Sequence, residues 1–330
     1  MAEHEKITMA QAFNQALRDA MTADESVLVF GEDVGALGGV FRVTDGLTAE
    51  FGDSRCFDTP LAESGILGMA VGLAMNGMRP VVEMQFDAFA YPAFEQLVSH
   101  VAKMRNRTRS AVGLPITIRI PYAGGIGGVE HHCDSSEAYY VHTPGLTVVA
   151  PATVADAYTL MREAIASPDP VIVLEPKKLY WSKDEVDLDE AQPGIGRAVV
   201  RREGTDATLI AYGTSVPIAL EAADAAATEG RSLQVVDVRS LVPFDDETVC
   251  AAVRSTGRAV VIAEAAGFAS VSSEIVARVT ERCFHHLAAP VRRVTGFDIP
   301  YPPPKLEHLH LPSVDRVLDA VDDLQWDDEA

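Results

Sequence analysis

Short, almost continuously apolar segments alternate with segments of helical periodicity along the whole sequence. In the first half, the segments that predict strands are Val27–Phe30, Pro80–Phe86, Ile116–Ile120, Leu146–Ala150 and Val171–Leu174. Helical spacing predicts helices over Met9–Met21 (with Thr8 as N-cap), Ser64–Asn76, Tyr91–Asn106 and Thr153–Ala166. A strand that is apolar at nearly every position is covered on both faces, as in a parallel sheet between helices. The alternation therefore predicts a doubly wound α/β fold.

The alternation stops once and then restarts. The segment from Ser182 to Pro193, SKDEVDLDEAQP, is acidic and weakly periodic, so we interpret it as a linker. Strands are then predicted over Thr208–Tyr212, Gln234–Val238, Ala259–Ala263 and Pro290–Val294. Helices are predicted over Pro217–Thr228, Asp246–Arg254, Ser272–Arg282 and Ser313–Leu324, before an acidic, solvated tail, DDLQWDDEA. A chain of 330 residues is long enough for two such domains, the second being the smaller.

The charge balance narrows the range of partners. The chain has 48 acidic and 27 basic residues, a net charge of −21, so its surface repels phosphate backbones and nucleic-acid binding is not expected. The most apolar stretch, Gly65 to Val82, is interrupted by Asn76, Arg79 and Pro80, which argues against a membrane span. The four cysteines form no C-x-x-C pair and no signal peptide is visible, so we expect a reducing, cytoplasmic location.

Two acidic residues lie where α/β folds bind ligands. Glu32 follows the first strand in GEDVG, and Glu63 precedes a helix in DTPLAESG. Ligands bind beyond the carboxyl ends of such strands, but an acid before a helix also stabilises the helix N-terminus. Residues alone leave both interpretations open. The glycine run Ala123–Gly128 does not fit the dinucleotide fingerprint and indicates a tight turn or close approach of a ligand.

A cluster of polar side chains, EHHCD, follows the glycine run. His131 and His132 have no second ligand pair at zinc spacing, so a metal site is not expected here. A histidine on a glycine-rich loop is a candidate acid or base, because an unperturbed imidazole titrates near neutral pH.

Seven segments, in order, carry a more specific signal. They are LVFGEDVG, GGVFRVTDGL, CFDTPLAESGILGMAVGLAMNG, VVEMQFDAFAYPAFEQLVSHVAKMR, HHCDSSEAYYVHTPGLTVVAP, DPVIVLEPKKLYW and RVTGFDIPYPPPKLE. Together they resemble the β subunit of the thiamine-diphosphate-dependent 2-oxo acid dehydrogenases, of the branched-chain and pyruvate types, over nearly the whole chain.

The resemblance implies a transketolase-like pyrimidine-binding domain, placed here at residues 1–185, and a transketolase C-terminal-type domain at residues 196–330. It also implies an α2β2 heterotetramer, with thiamine diphosphate shared between α and β. Enzymes of this class bind the diphosphate and Mg²⁺ through a GDG segment. This sequence has no GDG, so the resemblance assigns Mg²⁺ to the α subunit.

The resemblance also assigns site residues. Glu63 matches the acid that hydrogen-bonds a ring nitrogen of the aminopyrimidine and so favours the imino tautomer that activates the thiazolium carbon. Burial is expected to raise the pKa of such a carboxyl. Leu61, Gln85 and Phe89 match positions around that ring, although many relatives have tyrosine at the position of Phe89. Glu32 matches a second acid near the site.

His132 matches the histidine of the branched-chain type, which stabilises the substrate carboxylate and assists acyl transfer to the lipoyl sulfur. His131 is its rival, because adjacent side chains do not easily face the same ligand. Cys133 replaces a serine of the usual pattern. Relatives hold K⁺ on backbone carbonyls at positions that match Ile116, Ala164, Ser167 and Asp169.

The resemblance therefore predicts decarboxylation of a branched-chain 2-oxo acid with reductive acylation of a lipoyl-lysine on the acyltransferase component. Pyruvate is the alternative substrate and acetoin cleavage a further one. Two other hypotheses remain: a non-catalytic assembly subunit, and a transketolase-like enzyme that binds the cofactor unaided.

Overall fold

Two β-sheets covered by helices organise the chain. The computed structural model describes residues 6–188, 190–324 and Trp326. The strands are β1 Lys6–Thr8, β2 Val27–Gly31, β3 Cys56–Asp58, β4 Arg79–Glu83, β5 Thr117–Tyr122, β6 Thr147–Val149, β7 Val171–Pro176, β8 Lys183–Glu185, β9 Val199–Arg202, β10 Ala207–Ala211, β11 Leu233–Asp237, β12 Ser240–Val242, β13 Ala259–Ala266 and β14 Arg292–Gly296.

Helices connect most of these strands. They are α1 Met9–Ala23, α2 Leu47–Phe51, α3 Glu63–Met75, α4 Phe94–Gln96, α5 Met104–Arg107, α6 Glu137–Val141, α7 Val154–Ala166, α8 Ser215–Thr228, α9 Asp246–Thr256, α10 Val271–Cys283, α11 Glu307–His310 and α12 Val314–Asp322. Short 3₁₀ turns cover Ala88–Ala93, Glu130–His132, Lys177–Leu179, Phe284–His286 and Pro304–Leu306, and one π-helical turn covers Leu97–Val101.

The first sheet has seven strands in the order β12-β6-β7-β5-β4-β2-β3. Neighbouring strands within this sheet run parallel, except that β12 pairs antiparallel with β6. Because β12 comes from the C-terminal half, backbone hydrogen bonding ties the two halves together. The second sheet has the order β14-β13-β10-β11-β9, and only β9 is antiparallel to its neighbour.

Three apolar clusters fill the spaces between helices and sheets. One lies between the first sheet and helices α1 and α7, and includes Phe13, Leu17 and Leu160. Another lies between the second sheet and helices α8 and α12. The third is shared by both halves, since it joins α3 residues such as Ile66 to α10 residues such as Ile275. The halves therefore share a core as well as a strand.

The fold class predicted from the alternation is confirmed. All predicted strands are present, and all predicted helices but one, with ends that differ by a few residues. Thr8 caps α1 as predicted: its hydroxyl accepts from the N–H of Gln11, whose side chain accepts from the N–H of Thr8. Glu63 is the first residue of α3 rather than the residue before it.

The single helix predicted over Tyr91–Asn106 is wrong. A 3₁₀ turn, α4, a π-helical turn and α5 follow one another there. Pro92 removes one helical donor, and Ala102 N–H reaches back five residues to the carbonyl of Leu97. Apolar spacing predicts the buried face of such a segment but not these local changes of hydrogen-bond pattern.

Two polar segments are also more ordered than predicted. Within the predicted linker, β8 pairs antiparallel with β1. In the predicted solvated tail, the Trp326 ring stacks on the guanidinium of Arg231 at 3.9 Å and of Arg258 at 4.7 Å. Within that tail, residues 325 and 327–330 lie outside the described residues.

A buried ion cluster holds the centre of the first sheet. Arg119 of β5 donates to Glu83 of β4 and, through two nitrogens, to Glu175 of β7 at 2.6 and 2.9 Å. The Tyr180 hydroxyl donates to the same Glu175 carboxylate. The Arg119 side chain is 1% exposed, so removing it leaves two carboxylates without a counter-ion inside the protein.

We predict that Arg119→Leu lowers the free energy of unfolding by about 3–5 kcal/mol, the typical cost of breaking a buried ion pair from one side. Urea unfolding followed by circular dichroism measures this loss. Arg278→Leu is the control, because Arg278 pairs with Asp246 and Glu274 at the surface and should cost about 1 kcal/mol or less. Equal losses in the two variants would contradict the prediction.

Candidate active site

Several polar side chains meet where parallel strands of the first sheet end. Gly31, the last residue of β2, pairs in register with Asp58 of β3 and Glu83 of β4. Because these neighbours run parallel, their carboxyl ends lie at one edge of the sheet. Glu32 follows β2 directly, and Gln85 follows β4 by two residues. The edge therefore brings together segments that are far apart in sequence.

Glu32 and Glu63 form a pair of buried acids at this edge. They are 8% and 9% exposed, and Glu63 begins α3. Burial raises the pKa of Glu32, and the negative charges of Glu63 and Asp33 raise it further. The Glu32 Oε1 atom is buried and has no hydrogen-bond partner among the described residues. An orphaned carboxyl oxygen of this kind is suited to hold or receive a proton from a ligand.

Gln85 links the two strand ends. Its Nε2 donates to Asp33 Oδ2 at 2.9 Å, and Asp33 adopts a positive φ of 56°. The side-chain amide therefore fixes the loop that follows β2 against the segment that follows β4. This contact spans 52 residues of sequence, so no local pattern predicts it.

An aromatic cluster surrounds the candidate histidine. The His132 ring contacts the rings of Phe86 and Phe89 edge to face, with centroids 4.4 and 5.3 Å apart. Its Nδ1 is buried and finds no hydrogen-bond partner in the described ranges. The His131 side chain is 67% exposed and lies 3.7 Å from Glu130. Of the two histidines, His132 is the one that packs beside Phe89.

Asp87 anchors the segment that follows His132. Its carboxylate accepts the backbone N–H of Ser136 at 2.7 Å and the Ser136 hydroxyl. Asp87 is fully buried, and burial raises its pKa to about 6, although the hydrogen bonds from Ser136 and the charge of Lys177 act in the opposite direction. Burial lowers the pKa of Lys177 to about 8, and its ammonium lies 5.9 Å from the Phe86 ring centroid.

Phe86, Asp87 and Lys177 were not singled out by the sequence. Phe86 lies between Gln85 and Phe89, which were both predicted to line the site. It is also the last residue of the strand predicted over Pro80–Phe86, and this position is the signal that could have identified it. Lys177 follows the buried strand β7. A lysine immediately after a buried strand is the signal that could have drawn attention to it.

The remaining predicted positions have different surroundings. Leu61 is 78% exposed, so the described part of this chain leaves it uncovered. The four positions matched to K⁺ ligands converge where α7 ends and where β5 and β7 begin. Here the Arg79 guanidinium donates to the carbonyl of Ser167 at 3.1 Å, and Val171 N–H donates to the carbonyl of Ile116 at 3.0 Å. K⁺ binding there stays a prediction.

The described residues contain no group of three or more histidine, cysteine or acidic side chains arranged to hold a metal ion. In the same residues, no helix has both the length and the hydrophobicity needed to cross a bilayer.

Comparisons with known proteins agree over nearly the whole chain. Residues 5–182 match the transketolase pyrimidine-binding domain and residues 196–317 the transketolase C-terminal domain. The 3-methyl-2-oxobutanoate dehydrogenase subunit beta of Mycobacterium tuberculosis is 56% identical over 319 residues, which cover 96% of this chain and 92% of that protein.

Two other proteins are also similar to this chain. The pyruvate dehydrogenase E1 component subunit beta of Leifsonia xyli subsp. xyli is 55% identical, with 96% of this chain and 94% of that protein covered. A solved structure, described as a split gene transketolase in an inactive beta4 tetramer, matches with a TM-score of 0.78 at 25% identity and covers 96% of this chain and 98% of that one.

The raised pKa of Asp87 predicts a pH dependence of stability. The folded state binds its proton more tightly than the unfolded state, so ionisation of Asp87 opposes folding. We predict that the free energy of unfolding of the wild type, relative to Asp87→Asn, falls by about 2–3 kcal/mol as the pH rises from about 4 to about 6. Because about half of the Asp87 carboxyls are still protonated near pH 6, the difference becomes constant only about one pH unit above that value.

Urea unfolding at several pH values measures this difference. Asp24→Asn supplies a control of opposite sign, because hydrogen bonds from the side chain and backbone of Ser26 lower the pKa of Asp24. The stability that Asp24 adds is lost as the pH falls through its folded-state pKa. A wild-type-minus-Asp87→Asn difference that is flat between pH 4 and 6, or rises, contradicts the prediction.

Proposed function

Because this chain belongs to the family of 2-oxo acid dehydrogenase β subunits built from transketolase pyrimidine-binding and C-terminal domains, we propose that it serves oxidative decarboxylation of a branched-chain 2-oxo acid. The family depends on thiamine diphosphate, and its members are subunits of enzyme complexes. The buried pair of acids, Glu32 and Glu63, at the edge of a parallel sheet is the observation that carries this proposal.

The residues at this edge fit the aminopyrimidine half of the cofactor. When bound, thiamine diphosphate supplies the nucleophilic carbon and the electron sink for decarboxylation. Glu63 would hold a proton on a ring nitrogen, since a carboxyl can donate and recover one. The unpartnered Oε1 of Glu32 is available to a further donor of the ligand. Phe89 would pack on the ring, Gln85 would add an amide hydrogen bond, and the exposed Leu61 would be covered on binding.

His132 is the second proposed catalytic residue. Phe86 and Phe89 hold its ring, and its unpartnered Nδ1 is available to a polar group of the substrate. We assign it the stabilisation of the substrate carboxylate and proton transfer during acylation of the lipoyl group. We assign the role to His132 rather than His131, because the His131 side chain lies beside Glu130 and only His132 packs against Phe86 and Phe89 in the described residues.

The missing half of the site must come from another chain. This sequence has no GDG segment, so we propose an α subunit that holds the diphosphate and Mg²⁺ in an α2β2 heterotetramer. We also propose a lipoyl acyltransferase as acceptor, with residues 1–185 and 196–330 as the two domains of this chain. K⁺ on the carbonyls of residues 116, 164, 167 and 169 belongs to the same proposal. A cytoplasmic location is favoured by four free, buried cysteines.

Two substrates have support among the relatives. The Mycobacterium tuberculosis relative is named for 3-methyl-2-oxobutanoate and is 56% identical, while the Leifsonia xyli relative is named for pyruvate and is 55% identical. The run HHCDSSEAYYVH favours the branched-chain type, and we take pyruvate as the alternative.

We predict that Glu63→Gln lowers decarboxylation by the assembled αβ enzyme about 10²-fold or more, because glutamine keeps a hydrogen bond but cannot supply the proton. Turnover is measured with the 2-oxo acid, and cofactor affinity by titration, which should stay within about threefold. Glu25→Gln, at an exposed position remote from the site, is the matched control and should turn over like the wild type. Wild-type turnover by Glu63→Gln would favour an assembly subunit without a catalytic role.

We further predict that kcat/KM for branched-chain 2-oxo acids exceeds that for pyruvate by about tenfold or more, because additional methyl groups in an apolar pocket add binding energy. A panel of 2-oxo acids offered to the co-purified enzyme measures the ratio. A preference for pyruvate would replace the branched-chain assignment by the alternative without affecting the role of Glu63.

A further inference from the structure

Side chains of the C-terminal half of the chain hydrogen-bond the glycine-rich loop of the N-terminal half, residues 123–128. Three backbone N–H groups of this loop donate to side chains that lie more than 100 residues away in sequence. The three hydrogen bonds run from Gly124 to Glu264, from Gly125 to the Tyr301 hydroxyl at 3.3 Å, and from Gly127 to Glu307 at 3.1 Å.

The fit between the two halves is close at the start of the loop. A Cβ added to Gly124 would lie 1.9 Å from the Tyr301 hydroxyl oxygen, so only glycine allows the contact. Glu264 is 7% exposed, and its second oxygen accepts from the Thr214 hydroxyl at 2.8 Å. The Glu264 carboxylate, which projects from β13, is therefore itself held in place by Thr214, which lies between β10 and α8.

The same loop carries His132. Ala123 N–H donates to the carbonyl of Asp134 at 2.9 Å, so the two ends of residues 123–134 close on each other. Gly128 lies directly against the histidine: a Cβ added to it would be 3.3 Å from the His132 Cβ. A displacement of the glycines would therefore move the His132 backbone relative to Phe86 and Phe89.

We propose that Glu264, Tyr301 and Glu307 are positioning residues, through which the C-terminal domain sets the location of His132 for the reaction. This inference rests on the role of His132 in the proposed function. Substitution of these residues should affect only the reaction steps in which His132 takes part. The aminopyrimidine site around Glu63 is built on other strand ends, so these three side chains should leave cofactor affinity unchanged.

Tyr301→Phe and Glu307→Ala test the inference in the assembled, cofactor-loaded αβ enzyme. We expect each to lower kcat for reductive acylation of a lipoyl domain about fivefold, the effect of one lost hydrogen bond. The Kd for thiamine diphosphate should stay within about twofold. Glu307→Gln should keep the wild-type rate, because its amide oxygen still accepts from Gly127.

Matched controls remove similar contacts elsewhere. Tyr158→Phe deletes a hydroxyl that donates to Asp19 at 2.7 Å, and Glu163→Ala deletes a carboxylate that accepts the N–H of Ile195 at 2.6 Å. Both lie outside the site and should acylate at the wild-type rate. Glu307 is on the short surface helix α11, so its variant is expected to fold even if Tyr301→Phe does not.

Repeating the substitutions in a His132→Ala background separates positioning from a general structural defect. A residue that acts through His132 adds no more than about a twofold loss once the imidazole is absent. Losses that multiply in that background, or Tyr301→Phe and Glu307→Ala enzymes that acylate like the wild type, overturn the inference. An assembled enzyme that turns over no 2-oxo acid at all would instead sink the proposed function, and this inference with it.

Discussion

One guanidinium between two buried carboxylates holds the part of the sheet on which the site is built. Arg119 joins β4, β5 and β7 through Glu83 and Glu175 in a region closed to water. Glu83 lies two residues before Gln85 in the sequence, and Glu175 lies two residues before Lys177. The strand ends that carry the site are therefore fixed relative to one another before any ligand binds. A site needs such rigidity, because reacting groups must be held within a fraction of an ångström.

The electrostatics of the site follow from burying acids in an already acidic chain. Burial raises the pKa of Glu32, of Asp87 and of Glu264, and it lowers the pKa of Lys177, so the surroundings consistently favour neutral forms. Carboxyl groups whose pKa is raised bind a proton more readily than exposed ones, which suits a ligand whose chemistry depends on a proton shift. The same low polarity strengthens the hydrogen bonds that connect the two halves, notably those from Gly124 and Thr214 to Glu264.

The predictions from sequence succeeded where the signal was local. Every strand that an apolar run predicted is present in the structure, and Thr8 caps α1 through its contact with Gln11, three residues away. They failed where the cause was tertiary. The hydrogen-bond pattern over residues 91–106 changes type while its apolar spacing stays helical, and β8 forms only because β1 lies beside it. For the site, residues alone left Glu63 ambiguous between a helix charge and a catalyst. The family resemblance, not spacing, singled it out together with His132.

The sequence by itself determined the α/β class, the restart of the pattern after residue 193 and the acidic surface, because hydrophobic periodicity and charge are properties of short segments. Tertiary structure alone decided that Gln85 holds Asp33, that His132 rather than His131 packs on Phe89, and that side chains of the C-terminal half grip the glycine loop. Some of these contacts join residues that are far apart in sequence, and one distinguishes two adjacent residues. Hydrophobic periodicity carries no information about either kind. Their geometry is fixed only when the sheets have packed and the strand ends have come to a common edge.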